Sequence, residues 1–456
     1  MKKYVIWSVL LYLRFFARLA LRLNKVSIIA ITGSVGKSSA RSAVYAVLKD
    51  SYPVYCIEEG NSETGIPLGI LGMTPKDYSL RDWWRMLRKV PFSLSFLKNY
   101  DYVIVEMGID EPDPPKNMGF LLTILQPEIA IFLNVYPVHS MQFDKTVPRS
   151  MQGEGRMFEI QKNIAKEKGK IITASSFSTA IYNADNIFVS DVVESFKKDH
   201  KEKEILAFGV DKRNYITYAG YELQGGTSVF TFIDYSNEKL RVEIPGYLLP
   251  EEYREIFAAA LAVGRSMGKD NIVLKKGLEK NFHLPPGRMS VLKGMRGATI
   301  IDSSYNASKA SVSAALRMAS MLAKKEKKPL IFLFGDMREL GDEAQHEHEF
   351  VASEICSAVD ELYCVGPLTF NYVMPKVEDK LKKTKWFHSS EGAGTYILEH
   401  MPDNAIVLVK GSQNEIFLEE AIKKLLADPA DSAKLCRQDA FWIQTKASYF
   451  KIRRAD

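Results

Sequence analysis

The sequence predicts an α/β protein. Its central domain has a mostly parallel, doubly wound sheet carrying a phosphate-binding loop, and a smaller α/β domain follows. Three observations carry this. Apolar runs of strand length alternate with helical patterns across both halves. The first run, Ile28-Ile29-Ala30-Ile31-Thr32, breaks into Gly33-Ser34-Val35-Gly36-Lys37-Ser38-Ser39 and resumes as a helix. The run Tyr102-Val103-Ile104-Val105-Glu106-Met107 carries a carboxylate at its end, where parallel sheets place their ligands.

The first strand, loop and helix have P-loop construction. Gly33 and Gly36 let backbone N–H groups turn inward on a phosphate, and the helix N-terminus adds its positive end. Lys37 can reach the outer phosphates, and the Ser38 hydroxyl can hold Mg²⁺. The strict pattern would have glycine where Ile31 stands. The alternative is a ligand-free glycine turn.

The 456 residues leave room for several domains, with 46% hydrophobic and 25% charged side chains. A net charge of +6 suits small anionic substrates or an acidic surface and argues against a nucleic-acid binder. Cys56, Cys356, Cys364 and Cys436 form no CxxC pair, as expected of a reduced, cytoplasmic chain.

Residues 1–24 are apolar from Tyr4 to Leu13, then place Arg14, Arg18 and Arg22 at intervals of four. The apolar run is too short to span a bilayer unaided, and no cleavage-type sequence follows. A helix lying at the inner face of the cell membrane fits this pattern. The alternative is a helix docked on the protein's own core with its arginines in water.

Beyond the first helix, Val54-Tyr55-Cys56-Ile57 reads as a strand and residues 60–67 as a polar loop. A Trp83/Trp84-rich helix comes next, and Ile129–Leu133 forms a strand leading to Asn134 and, in the loop beyond, His139. From about residue 205 to 246 the pattern changes to antiparallel edge strands, followed by an alanine-rich helix over 253–267. Leu284-Pro285-Pro286-Gly287-Arg288 reads as a joint, giving a central domain over 25–284 and a C-terminal domain over 285–456. The second series is Rossmann-like: strands at 299–302, 329–334, 361–366 and 405–410, a helix at 309–324, and a basic, aromatic, helical tail.

Taken together, the motifs resemble those of the Mur ligase superfamily. Thr32–Ser39 resembles its nucleotide loop, Gly60-Asn61 with Gly65-Ile66-Pro67 its substrate loop, and Val105-Glu106-Met107-Gly108 its Mg²⁺ strand. Asn134 and His139 resemble its Asn…His motif, and Lys168 with Tyr182-Asn183-Ala184-Asp185 the segment carrying a carbamylated lysine. Pro286-Gly287-Arg288, Asp302-Ser303-Ser304-Tyr305-Asn306-Ala307, Gly335-Asp336-Met337-Arg338-Glu339-Leu340-Gly341 and Val409-Lys410-Gly411-Ser412 complete the set. The Tyr-Asn-Ala and Gly-Asp-Met motifs look most like the MurF-type branch, which adds D-alanyl-D-alanine to a UDP-muramoyl tripeptide.

The resemblance implies an ATP-dependent amide ligase working through an acyl phosphate. Gly33 through Ser39, with Arg288, Asp302 and Asn306, would hold ATP. Ser38 and Glu106 would hold one Mg²⁺, and His139 with carbamylated Lys168 a second. Lys37, Lys168, His139 and Lys410 would serve the reaction, Lys410 and Ser412 lying near the incoming D-alanyl-D-alanine. Blander readings stand beside these. Glu106 could be a strand-end charge, His139 a surface-loop histidine, Lys168 part of a solvated lysine face, and Asp302 a helix cap. His346 and His348 do not share a helical face, and His348 has no evident chemical role.

The chain departs from the family at several points. Fewer than thirty residues precede the P-loop strand in this sequence, so a counterpart of the family's N-terminal UDP-binding domain is not expected within it. Ser303, Lys170 and Gln413 stand where Asp, Glu and Arg are common, and residues 247–253 replace the usual His and Asn near adenine. The rival functions are a Mur-type ligase on a lipid-linked or polyglutamate-type acceptor, and a P-loop protein that binds nucleotide without catalysis.

Overall fold

The computed structural model describes residues 2–58, 60–76, 79–136, 140–148, 150–338, 340–381, 383–412 and 415–453. The chain divides into two compact units. The first comprises residues 1–220, 230–242 and 253–283, and the second residues 221–229, 243–252 and 284–456.

Fifteen strands lie among the described residues: β1 Ser27–Thr32, β2 Val54–Cys56, β3 Tyr102–Glu106, β4 Ile129–Phe132, β5 Thr179–Asn183, β6 Glu204–Gly209, β7 Ile216–Gln224, β8 Thr227–Asp234, β9 Lys239–Pro245, β10 Ser290–Lys293, β11 Thr299–Ser303, β12 Leu330–Gly335, β13 Glu361–Val365, β14 Lys383–Phe387 and β15 Ile406–Lys410. The larger sheet runs β2-β3-β1-β4-β5-β6-β7-β8-β9. From β2 to β7 every neighbouring pair is parallel. β7, β8 and β9 are joined by turns too short for any crossover, so they form an antiparallel edge. That edge starts at β7 and not near residue 205 as expected, because β6 pairs parallel with both β5 and β7. β1 is buried almost throughout, as befits a central parallel strand covered on both faces. With β3 on one side and β4 on the other, β1 sits where strand order reverses, so the loop after it opens at a topological switch point.

The smaller sheet runs β10-β11-β15-β12-β13-β14, parallel except for β10. Its core joins Ile300, Ile331, Leu333, Val407 and Val409 from the strands to Ile397 and Ile422 from the helices.

Two further expectations are revised. The polar loop over residues 60–67 ends early, because a short helix, Gly65–Ile70, begins inside it. Pro67 sits in that helix's first turn, where its missing N–H costs nothing. The N-terminal helix, Lys2–Asn24, is docked on its own unit. Leu10, Leu13, Ala17 and Ala20, spaced by three and four, are buried in the core of the larger sheet. Arg14 Nη1 donates to Thr123 Oγ1 (3.2 Å) and Arg18 Nη1 to Thr123 O (2.8 Å), so these two arginines do not simply face water. By length and composition residues 4–24 could also cross a bilayer.

Candidate active site

The phosphate loop is held from both sides. At its base, Thr32 Oγ1 donates to Met107 O (2.8 Å) and Met107 N to Ile31 O (2.8 Å). On the other flank Asn134, just past β4, accepts at Oδ1 from Ser34 N (3.1 Å) and Val35 N (3.0 Å). Its own Nδ2 donates to Glu255 Oε2 (3.2 Å), which fixes the orientation of the amide. Burial pushes the Glu255 carboxyl up, and the Asn134 bond opposes that. The loop closes at Gly36 with φ +83°, a left-handed conformation that only glycine adopts at little cost. A Cβ on Gly33 would meet Leu133 Cβ at 3.0 Å. The helix Lys37–Leu48 starts here, and the N–H groups of its first turn have no partner within the helix.

Two lysines meet behind this loop. Lys37 Nζ donates to Gly33 O (2.9 Å) and Ser34 O (3.3 Å). Lys168 Nζ donates to the same Gly33 O (3.2 Å). Lys168 belongs to the helix Gly153–Thr173 and is buried, while Lys162 and Lys166 are exposed on its other side. The solvated-face reading of Lys168 therefore does not describe this structure. Burial, then the Lys37 charge, lowers the Lys168 pKa to about 7. Burial lowers Lys37 as well, with Glu106 and Asp110 acting against it.

Ser38 Oγ donates to Glu106 Oε2 (3.1 Å), and Arg41 pairs with Glu106 Oε1 (2.7 Å). A hydroxyl and a carboxylate oxygen at a phosphate loop are the hard donors that magnesium combines with phosphate oxygens. Among the described residues no group of three or more His, Cys, Asp or Glu gathers into a metal-binding cluster. His139 lies outside the described residues. Near Glu106, Gly108 N donates to Asn61 O (2.8 Å), docking the Gly60–Gly65 loop at the end of β3. Within that loop a Cβ on Gly60 or Gly65 would lie 2.4 Å from the other's Cα, so both must be glycine.

In the second unit the ends of β11, β12 and β15 form another polar cluster. Lys410 Nζ donates to Asn306 O (2.9 Å) and Ser303 Oγ (3.1 Å). Burial, then the Arg288 charge, lowers its pKa to about 7. Asp302 Oδ1 accepts from Ser304 N (3.0 Å), and its buried Oδ2 has no partner among the described residues. Burial raises that carboxyl to about 6. The helix after β11 is capped by Ser308, so Asp302 is not its cap. Arg288 stacks over Tyr305 (4.8 Å), and its Nε is likewise buried without a partner. Asn306 turns its Oδ1 to Ala307 N (2.9 Å). Ser412 links the loops, accepting from Arg338 N (2.9 Å) and donating to Ala307 O (3.3 Å).

Several contributors escaped the sequence reading. Arg41 is three residues beyond Ser38, hence on the same helical face, and that spacing was the available signal. Asp110, four residues past Glu106, is a carboxylate whose charge bears on both Lys37 and Lys168. His348 accepts at Nε2 from Met337 N (3.0 Å), while its Nδ1 faces Ala344 O (2.6 Å). It thus latches the loop after β12 as a neutral imidazole. Arg437 pairs with Glu419 (2.7 Å) and donates to Ser304 O (3.0 Å), propping the end of β11 from the tail. No local pattern marked it.

Comparison with known proteins agrees with this geometry. The Mur ligase middle-domain family model matches residues 31–249. The model described as Mur ligase, glutamate ligase domain, matches residues 287–413. The UDP-N-acetylmuramoyl-tripeptide–D-alanyl-D-alanine ligase of Buchnera aphidicola subsp. Baizongia pistaciae is 23% identical over 408 residues, covering 88% of this chain and 76% of the relative. The ligase of the same name from Rickettsia prowazekii is 26% identical over 391 residues, covering 86% and 76%. The crystal structure of MurF ligase from Thermotoga maritima in complex with ADP superposes with a TM-score of 0.65 at 21% identity, covering 91% of this chain and 83% of that one. Two family models that between them take in the phosphate loop, the strand-end carboxylate and the second polar cluster leave one assignment: the chain belongs to the Mur ligase family.

Proposed function

We propose that this protein is an ATP-dependent ligase that joins D-alanyl-D-alanine to a UDP-muramoyl tripeptide in cell-wall peptide synthesis. The observation that carries the reading is the pair of buried lysines, Lys37 and Lys168, sharing Gly33 O behind a phosphate loop. Lys37 there suits a step in which two anions, the γ-phosphate and a carboxylate, must approach each other, and Lys168 beside it suits a metal-holding carbamate.

In the first step a carboxylate oxygen of the tripeptide takes the γ-phosphoryl group, and ADP leaves. In the second the dipeptide amine attacks the acyl carbon. The C–N bond forms, the C–O bond to phosphate breaks with its electron pair, and the amine proton is released. Lys37 is assigned to the transferring phosphoryl group, and the first-turn N–H groups of residues 37–39 to its oxygens. Ser38 and Glu106 are the residues that would hold Mg²⁺, which supplies further charge neutralisation when bound. A second ion, with His139 and Lys168 as its residues, belongs to the same proposal. Lys168 has the chemistry for a carbamate, because a pKa of about 7 leaves much of the amine neutral and able to add CO₂ with loss of one proton. In the second unit, Arg288, Asp302 and Asn306 are assigned to the nucleotide. Lys410 and Ser412 are assigned to the dipeptide.

We also place this ligase at the inner face of the cell membrane, in contact through residues 1–24. What supports this is the outward strip of the docked helix, with Tyr4, Leu11, Phe15, Arg18 and Arg22 exposed. No Asp or Glu occurs before Asp50.

Product mass spectrometry with ATP, UDP-muramoyl tripeptide and D-alanyl-D-alanine tests the reaction. The expected product is the tripeptide plus the dipeptide less one water, with ADP and phosphate. Turnover with a different acceptor, and none with this one, overturns the assignment.

A further inference from the structure

We infer that the surface meeting an anionic bilayer is built from two segments, the outward strip of the N-terminal helix and the segment Leu80–Phe96 beside it. This rests on the reading that residues 1–24 contact the membrane.

The N-terminal helix has only part of its circumference to give. Leu10, Leu13, Ala17 and Ala20 are committed to the core, and Trp7 packs edge-on against Phe120 (5.6 Å). What remains apolar and exposed is narrow, chiefly Tyr4, Val5, Ile6, Leu11 and Phe15. The segment alongside is fastened at two points. Tyr12 OH donates to Leu87 O (3.1 Å), and Asn24 Nδ2 donates to Leu94 O (2.6 Å).

That segment exposes side chains a water-facing helix rarely carries. Leu80 is 89% exposed, Trp84 63% and Phe92 87%. Leu80, Trp84 and Arg88 recur at intervals of four on the outer side of the helix Leu80–Lys89, opposite Asp82 and Met86, which are buried. Arg88 lies over the Trp84 ring (4.8 Å). An exposed tryptophan and phenylalanine beside arginines is the pairing found at membrane interfaces, where the ring enters the acyl boundary and the cation stays with the headgroups.

Charge identifies the occupant. Residues 2–24 and 80–96 hold Lys2, Lys3, Arg14, Arg18, Arg22, Arg81, Arg85, Arg88 and Lys89. Against these nine cations stands one acid, Asp82, which is buried and paired with Arg85. The whole chain is only +6, so everything outside these two segments is net negative. The positive charge is therefore concentrated on the segments that expose the aromatic rings. Basic residues with exposed rings fit a lipid surface carrying negative headgroups.

The test is co-sedimentation of the full chain with phosphatidylglycerol/phosphatidylcholine vesicles and with pure phosphatidylcholine vesicles, at low and high salt. Wild type should bind the anionic vesicles, and high salt should weaken binding. The double variant Trp84→Ser/Phe92→Ser should lose at least tenfold in partitioning with an unchanged melting temperature. A second readout uses brominated lipid: it should quench tryptophan fluorescence of the wild type, and Trp84→Phe should abolish most of that quenching. Vesicle binding that survives both changes but is lost in Leu11→Ser/Phe15→Ser overturns the two-segment surface and leaves the N-terminal helix as the contact. No binding of the wild type to anionic vesicles removes the membrane reading itself. Equal binding to neutral vesicles overturns the assignment to an anionic surface.

Discussion

Replacing Lys168 by methionine should make the protein more stable and less active. The amine is buried with no carboxylate bonded to it, and its pKa falls from 10.5 to about 7. The unfolded chain therefore holds a proton that the folded chain gives up across the window between those values. Stability contributed by this group rises with pH there and is lowest below about pH 7. That lowering of the pKa corresponds to a burial cost of roughly 4–5 kcal/mol at pH 7, falling below about 1 kcal/mol at pH 10. Methionine keeps most of the chain's volume and removes the ammonium. It also removes the bond to Gly33 O, worth about 1 kcal/mol, although that oxygen keeps its bond from Lys37. The net expectation is a gain of roughly 2–4 kcal/mol at pH 7 that shrinks toward pH 10. Urea melts of both proteins at pH 7, 8.5 and 10, in degassed bicarbonate-free buffer, measure it. Phosphate release should fall at least a hundredfold in the same variant, and wild-type activity should rise on adding bicarbonate. A variant less stable than wild type at pH 7, or a gain that does not change with pH, would refute the argument from burial.

Three further outcomes follow from the geometry. Lys37→Ala should lower the rate of phosphate release by about 10²–10³, the value of one preorganised charge at a transferring group; steady-state kinetics checks it. Gly36→Ala should cost about 1–2 kcal/mol in thermal melts, because φ is +83° there, and should raise KM for ATP. Asp302→Asn should stabilise the protein by up to about 3 kcal/mol at pH 8 and by nothing near pH 3, because a carboxyl raised from 3.8 to about 6 loses stability as pH climbs through that range. Equal unfolding midpoints of that variant and wild type at both pH values would remove the buried-carboxylate reading.

The parallel strands that the sequence revealed are short apolar runs between helical patterns, whereas β14, Lys383–Phe387, carries two lysines and gave no such signal. The loop chemistry was legible because glycine and lysine declare themselves at fixed spacing. Glu106 and Asn134 could be placed for the same reason: one closes a buried strand and the other lies two residues past one. Lys168 was harder. In the run Lys162, Lys166, Lys168, Lys170, composition alone cannot say which lysine turns inward. The fold decides it, because the helix buries Ile160, Ile164, Ile171 and Ile172, and position 168 falls on that side. Glu255 and Arg437 act across long separations, on Asn134 and Ser304, and His348 reaches back to the loop at Met337; nothing in their own neighbourhoods announces such partners.

The two lysines lowered to about 7, Lys168 and Lys410, occupy comparable places in the two units. Each ends near the carboxyl edge of a parallel sheet, bonded only to neutral oxygens, with another cation as the charge that acts on it most strongly. A fold selected for stability alone would supply each with a carboxylate or replace it with an apolar residue. Left uncompensated, Lys410 lets an arriving anion recover what folding gave up, and Lys168 stays neutral enough to take CO₂. A lysine already paired would offer neither. The cost of burying these amines is thus a form of preorganisation: a charge is held at Lys410 in surroundings that screen it weakly, and a reactive amine is held at Lys168 beside the phosphate loop.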